Sequence, residues 1–141
     1  MGYTTKFTGH LTLSRPLTMI EAKTLLEINE DPATATGNRP GDGYMQWVPG
    51  TDLQSIVWDG GEKFYDYTEW LQWVCGWLRD RGIVCWGTFI WSGEQAGDHG
   101  ELVVLDNVVE RKEGRQHTLG RFAPLTLRAL ADMALAEVTK P

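Results

Sequence analysis

Residues 65–82, YDYTEWLQWVCGWLRDRG, and residues 83–91, IVCWGTFIW, decide the fold class of this 141-residue chain. In the first stretch, apolar side chains recur at i, i+3, i+4 and i+7, which predicts an amphipathic helix over 65–81 that ends at Gly82. The second stretch is almost wholly apolar and predicts a central strand buried on both faces. A helix followed at once by a buried strand indicates helices packed on a sheet.

The rest of the chain extends this pattern in both directions. A capping box at Thr18–Glu21 opens a helix that runs to about Asn29, and residues 30–43 predict a loop. Asp106-Asn107 is typical of a two-residue hairpin turn. Strands are expected over residues 3–14, 44–48, 53–58, 83–91, 102–105 and 108–111, and Pro124 opens a last amphipathic helix.

The order of these elements is β-α-β-β-α-β, followed by a hairpin and a helix. It predicts an α+β fold with a ferredoxin-like core, in which helices cover an antiparallel sheet. We expect one domain over residues 1–141, made of an acidic α+β core (1–110) and a basic linker with a C-terminal amphipathic helix (111–141). The apolar last helix leaves a homodimer open as an alternative.

The charge is unevenly distributed along the chain. The net charge is −6, but residues 1–110 hold 7 basic and 16 acidic side chains, whereas residues 111–141 hold 6 basic and 3 acidic ones. The acidic segment 1–110 is repelled by phosphate backbones and attracts basic protein surfaces. We therefore expect a host protein with a basic surface as the partner, and no direct nucleic-acid binding. No apolar run is long enough to span a bilayer, and the N-terminus lacks a signal-peptide core, which predicts a cytoplasmic protein.

Few residues are candidates for catalysis or metal binding. Cys75 and Cys85 have no further thiol or histidine at metal-ligand spacing, so we expect two reduced core thiols, no metal and no cofactor. His10-Leu11-Thr12 resembles one arm of the two-histidine phosphoesterases, which need two such arms. Neither His99 nor His117 is followed by a hydroxyl residue two positions on. An ordinary surface histidine is therefore favoured, and we expect no catalytic residues.

Two further features are weighed as binding sites. The acidic set near residues 59–69 could hold a cation, but a Gly-Gly turn followed by carboxylates at a helix N-terminus is the simpler interpretation. The seven tryptophans form the second feature. Trp70, Trp77 and Trp86 are expected in the core. Trp and Tyr are enriched at binding hot spots, so the other tryptophans are candidates for an exposed surface.

Four stretches carry a resemblance to known sequences: residues 7–18, 46–49 (QWVP), 56–71 (IVWDGGEKFYDYTEWL) and 100–109 (GELVVLDNVV). In these stretches the chain resembles a group of small proteins of phages, prophages and bacteria that has no established activity. The resemblance covers roughly the first 110 residues and brings no site residues. It implies a class of small acidic phage proteins that often inhibit a host defence or nucleic-acid-processing machine by occupying its basic surface.

These observations together predict a small acidic non-enzymatic binding protein of phage or mobile-element type, acting in the cytoplasm of a bacterial host. It would dock on a basic surface of a host protein and inhibit it. One alternative is a protein that sequesters a nucleotide between Trp47 and Trp58, with Lys63 at the phosphate; the phosphoesterase is a weaker one. The residues expected to bind a partner or ligand are Trp47, Trp58, Asp59, Glu62, Lys63, Tyr65, Asp66, Glu69, Trp73 and Trp91.

Overall fold

The computed structural model describes residues 3–41 and 43–114. It contains six strands, two α-helices and one 3-10 turn within these residues. The elements are β1 (Lys6–Leu13), α1 (Met19–Glu30), the 3-10 turn (Pro32–Thr34), β2 (Trp47–Pro49), β3 (Ser55–Trp58), α2 (Tyr67–Arg79), β4 (Cys85–Ser92), β5 (His99–Leu105) and β6 (Val108–Glu113). The helix predicted from Pro124, and nearly all of the basic segment 111–141, lie outside the described residues.

The six strands form one antiparallel sheet in the order β2-β3-β1-β4-β5-β6. The longest ladder joins β1 to β4, from Lys6 opposite Ser92 to Leu13 opposite Cys85. This confirms an α+β fold with helices on an antiparallel sheet. The predicted hairpin of β5 and β6 is not a separate appendage, because β5 pairs with β4 and continues the same sheet. The described part of the chain is consequently richer in strands than the predicted core.

Several element boundaries differ from the predictions by a few residues. Two of these differences come from single residues in left-handed backbone conformations. Asp66 has φ 58° and stands at the N-cap, so α2 begins at Tyr67 instead of residue 65. Leu53 has φ 60° and its N–H donates to the Gly50 carbonyl, which closes a turn where a strand was expected. β3 therefore starts only at Ser55.

The core lies on one face of the sheet. Along β1, Phe7, Leu11 and Leu13 are buried, whereas Thr8 and His10 between them are exposed. The α2 helix adds the predicted apolar face, including Trp70 and Trp77, and the capping box at the start of α1 is present as expected. Cys75 and Cys85 are buried free thiols in this core, as the sequence predicts.

The turn between β5 and β6 is fixed to the rest of the fold by Asn107. Asp106 and Asn107 have φ of 49° and 64°, as the predicted two-residue hairpin turn requires. The Asn107 amide is buried, accepts from the Cys85 N–H, and donates to the carbonyls of Cys75 and Ile83 at 2.9–3.0 Å. One side chain thereby joins the hairpin, the end of α2 and the start of β4. No helix in the described ranges is long and apolar enough to cross a membrane.

Candidate functional site

The segment from Asp59 to Asp66, here called the acidic loop, connects β3 to α2 and contains half of the predicted binding residues. The side chains of Asp59, Glu62, Lys63, Tyr65 and Asp66 are all exposed. Lys63 and Asp66 each have φ 58°, a conformation that residues with a Cβ rarely adopt. The loop thus presents three carboxylates and a tyrosine from a backbone held in an uncommon shape.

Side chains from neighbouring elements hold this backbone in place. Asn29 at the end of α1 donates to the Asp59 carboxylate at 2.9 Å, and Gln46 donates to the Glu62 carbonyl at 2.7 Å. The other Asp59 oxygen accepts from the Gly61 N–H at 2.7 Å. Phe64 is buried between these points, with its ring 4.9 Å from that of Trp47. The acidic loop is therefore ordered before any partner arrives.

A shallow hollow of about 280 Å³ lies beside the acidic loop, lined by Asn29, Tyr44, Gln46, Asp59, Gly61 and Glu62. Tyr44 is 59% exposed and Tyr65 is 49% exposed, so two tyrosines stand among the carboxylates. The last turn of α1 adds the negative end of its dipole and carries no basic residue. This surface is therefore both aromatic and negatively charged.

Sequence reasoning missed Tyr44, Asn29 and Gln46 as members of this surface. The three residues come from α1 and from the segment before β2, 16 or more positions away from Glu62 in the sequence. No motif or spacing joins them, because their proximity arises from the pairing of β2 with β3 and the packing of α1 beside it.

The predicted exposure of Trp47 and Trp91 is wrong, since both side chains are completely buried. The Trp47 indole N–H donates to the Tyr67 carbonyl at 3.0 Å. The Trp91 indole N–H donates to the Asp98 carboxylate at 3.1 Å, and the Arg111 guanidinium lies 4.1 Å from the ring centroid. Their polar atoms are paired inside the protein, so both rings are part of the core and cannot meet a docked partner directly.

Trp58 lies opposite Trp47 in the β2–β3 ladder and is half-buried. Its indole N–H donates to the Gln46 side chain at 2.9 Å, and its ring packs edge-on against Phe7. Because Trp47 is fully covered, the two indoles form no open slot into which a base could slide. Trp86, expected in the core, is half-buried and pairs with Thr12 on the opposite face of the sheet.

Trp73 lies away from the acidic loop, in a groove of about 700 Å³ between α2 and residues 36–38. Its indole N–H donates to the Thr36 carbonyl at 3.1 Å, and its ring is half-buried. The floor of the groove is Gly76, where a Cβ would meet no atom within 4 Å. Arg81 covers Trp77 at 3.7 Å from the ring centroid. Glu69 is exposed on α2 one turn before Trp73.

His10 and Thr12 share one face of β1, as the spacing predicts, and line a hollow of about 380 Å³ together with Asp52 and Ser55. Asp52 accepts from the Gln54 N–H and from the Ser55 hydroxyl, both at 2.9 Å, and these bonds lower the pKa of its carboxyl. His99, the other described histidine, does not line this hollow. A second catalytic arm is therefore not present in the described ranges.

The described residues offer no group of three or more His, Cys, Asp and Glu side chains that could hold a metal ion. Exposed polar features of the described residues include the acidic loop, the α2 groove and the hollow at His10. Compared with protein-family models, with curated proteins and with solved structures, the chain matches none of them significantly.

Proposed function

We propose that this protein is a non-enzymatic binding protein of phage or mobile-element type that docks on a basic surface of a host protein through the acidic loop. The observation that carries the proposal is the combination, in one loop, of two left-handed residues, Lys63 and Asp66, with exposed carboxylates and Tyr65. Backbone strain of this kind is concentrated at functional sites, where the surrounding structure maintains it.

The way in which the loop is held favours tight binding. Side-chain hydrogen bonds from Asn29 and Gln46 fix it in the free protein, so docking loses little further conformational entropy. Tyr44 and Tyr65 supply large rigid surfaces with polar tips, which are common at binding hot spots. The carboxylates accelerate the encounter with a cationic partner.

The proposed partner is a bacterial defence or nucleic-acid-processing protein whose basic surface normally contacts phosphates. A carboxylate-rich surface competes for the same cations and thereby inhibits such a protein. Support for this partner class comes from the unequal charge distribution and from the resemblance to small phage proteins. Cytoplasmic action belongs to the same proposal.

The test is an affinity pull-down from host lysate with the wild-type chain, Glu62→Lys and Glu110→Lys, washed at low and at high salt. Glu62 is in the acidic loop, whereas Glu110 is an exposed residue of β6 and serves as a charge-matched control. We expect a salt-sensitive protein that wild type and Glu110→Lys retain and Glu62→Lys loses. Equal retention by all three chains would overturn the assignment of the surface.

The proposal also includes the topology of the sheet and its two helices. We propose that β1-α1-β2-β3-α2-β4 is a ferredoxin-like unit that β5 and β6 extend. It is supported by the adjacent antiparallel strands β2-β3-β1-β4 in the sheet. An experimental structure with α1 and α2 on opposite faces of the sheet would contradict it.

The nucleotide-sequestering alternative predicts quenching of tryptophan fluorescence on nucleotide addition, absent in Trp58→Ala. The phosphoesterase alternative predicts a hydrolysis that His10→Ala abolishes. Neither has an observation in its favour equal to the acidic loop, because Trp47 is buried and the hollow at His10 contains one described histidine.

A further inference from the structure

Two cysteine thiols meet inside the core, away from every surface discussed so far. Cys75 belongs to α2 and Cys85 is the first residue of β4. Their sulfur atoms are 3.6 Å apart and both side chains are completely buried. The two sulfur atoms are therefore in direct contact, with no other side chain between them.

The backbones of the two cysteines are held at a defined separation by one side chain. Asn107 donates to the Cys75 carbonyl at 3.0 Å and accepts from the Cys85 N–H, also at 3.0 Å. The amide group therefore bridges the helix to the strand next to the two sulfurs. A disulfide needs an S–S distance of about 2.05 Å, so the sulfurs must approach by about 1.5 Å, a movement that the proposal assigns to rotation of the two side chains.

We propose that Cys75 and Cys85 form an oxidisable dithiol, which a peroxide converts to an intramolecular disulfide between α2 and β4. This inference does not rest on the proposed docking function, because neither cysteine belongs to the acidic loop.

The chemistry takes place in two balanced steps. First, the Cys85 thiolate attacks one peroxide oxygen, the O–O bond breaks, and protonation of the leaving oxygen gives water and a sulfenic acid. Second, the Cys75 sulfur attacks the Cys85 sulfur, the S–O bond breaks, and the hydroxyl leaves as water with the Cys75 proton. Two thiols are oxidised to one disulfide, and one hydrogen peroxide is reduced to two waters.

The surroundings assign different roles to the two sulfurs. The hydrogen bond with Cys75 lowers the pKa of Cys85, and nearby Arg79 acts in the same direction. The same hydrogen bond, together with burial, raises the pKa of Cys75. The proposal therefore assigns the first step to Cys85, with Cys75 keeping its proton until the second step.

The experiment treats the folded full-length chain with hydrogen peroxide, removes the peroxide, then unfolds the protein in a thiol-alkylating reagent and measures its intact mass. We expect a monomer lighter by two hydrogen atoms that carries no alkyl groups, and that a thiol reductant returns to the doubly alkylated form. The matched variant Cys75→Ala should instead accumulate sulfenic or sulfinic acid at Cys85. The disulfide itself is detected in the wild type, so that readout does not depend on the variant's stability.

Three results would overturn the inference. They are full alkylation of both cysteines after peroxide treatment, a disulfide found only between two chains, and over-oxidation of Cys85 in the wild type at the rate seen in Cys75→Ala. A link that fits the native spacing should also raise the melting temperature by about 5–10 °C. A lowered melting temperature would also count against the inference, because it would show that the disulfide distorts the native fold.

Discussion

The acidic loop and the β5–β6 turn contain the same unusual backbone conformation and use it differently. Asp106 and Asn107 have left-handed φ angles because a two-residue hairpin turn requires them. Asn107 is buried and all its amide contacts are internal. Lys63 and Asp66 are exposed, and no hairpin explains their conformation. The left-handed residues of the β5–β6 turn thus serve the hairpin and its buried amide contacts, whereas under the proposed docking function those of the acidic loop hold charged side chains toward a partner.

The largest expected effect concerns the structural turn. Asn107→Ala removes the acceptor of the buried Cys85 N–H and the donor to the Cys75 and Ile83 carbonyls, and should lower the free energy of unfolding by about 3 kcal/mol. Urea denaturation measures it. Asn107→Gly is the control, because it keeps the left-handed backbone but loses the amide. A fully stable Asn107→Gly would show that the turn conformation alone matters.

The acidic loop should behave in the opposite way, with a large effect on binding and a small one on stability. We expect Glu62→Lys to weaken association with the captured partner at least about tenfold at low salt. Its free energy of unfolding should stay within about 0.5 kcal/mol of wild type, since the side chain is exposed. Surface plasmon resonance measures the affinity, and urea denaturation measures the free energy of unfolding. If Glu62→Lys lost both stability and binding, the acidic loop would be a structural element like the β5–β6 turn, and the contrast between the two would disappear.

Relief of backbone strain in the acidic loop should increase stability, and by less than Asn107→Ala decreases it. Lys63→Gly places glycine at φ 58° and should raise the free energy of unfolding by about 0.5–1 kcal/mol. Chemical denaturation measures it, with Lys23→Gly in the middle of α1 as a control that should be destabilised. A lower free energy of unfolding for Lys63→Gly would mean that contacts of the lysine side chain stabilise the fold by more than the left-handed backbone costs.

An acid titration tests the ion pair of Glu21 with Arg15, which lies outside the acidic loop. The pKa of Glu21 is lowered to about 2 by its paired hydrogen bonds with Arg15. Because the folded-state pKa is below that of the unfolded chain, this contribution is complete above about pH 4.5 and disappears as the pH falls toward 2. Arg15 is partly exposed, so we expect only about 1 kcal/mol.

Glu21→Gln should therefore be less stable than wild type at pH 7, and the difference should shrink markedly as the pH falls to 2. Thermal melts at both values measure the difference. A gap that persists unchanged at low pH would show that the glutamate acts through packing or through its helix-capping geometry, not through its charge.

Local signals were sufficient for much of the fold and for part of the site. The period of apolar residues predicted α2, the capping box predicted the start of α1, and Asp106-Asn107 predicted the hairpin turn. Each of these depends on residues within a few positions of one another. The acidic character of residues 59–66 is visible for the same reason, because its three carboxylates lie within eight positions of the chain.

Other predictions failed where the outcome depended on distant partners. Trp47 and Trp91 carry the same side chain as Trp73, but two are completely buried and one lines a groove. Nothing near Trp47 in the sequence indicates that Phe89 and Phe64 will pack against it. Tyr44 was likewise assigned to a strand, although it is one of the most exposed aromatic residues beside the acidic loop.

By itself, the sequence determined the helices, the hairpin turn and the sign of the charge, since these follow from short-range periodicity, turn preferences and composition. Only the tertiary structure decided which tryptophans are covered, that Asn29 and Gln46 hold the acidic loop, and that Cys75 and Cys85 meet at 3.6 Å. These outcomes depend on strand order and register, which bring together residues that no local pattern connects.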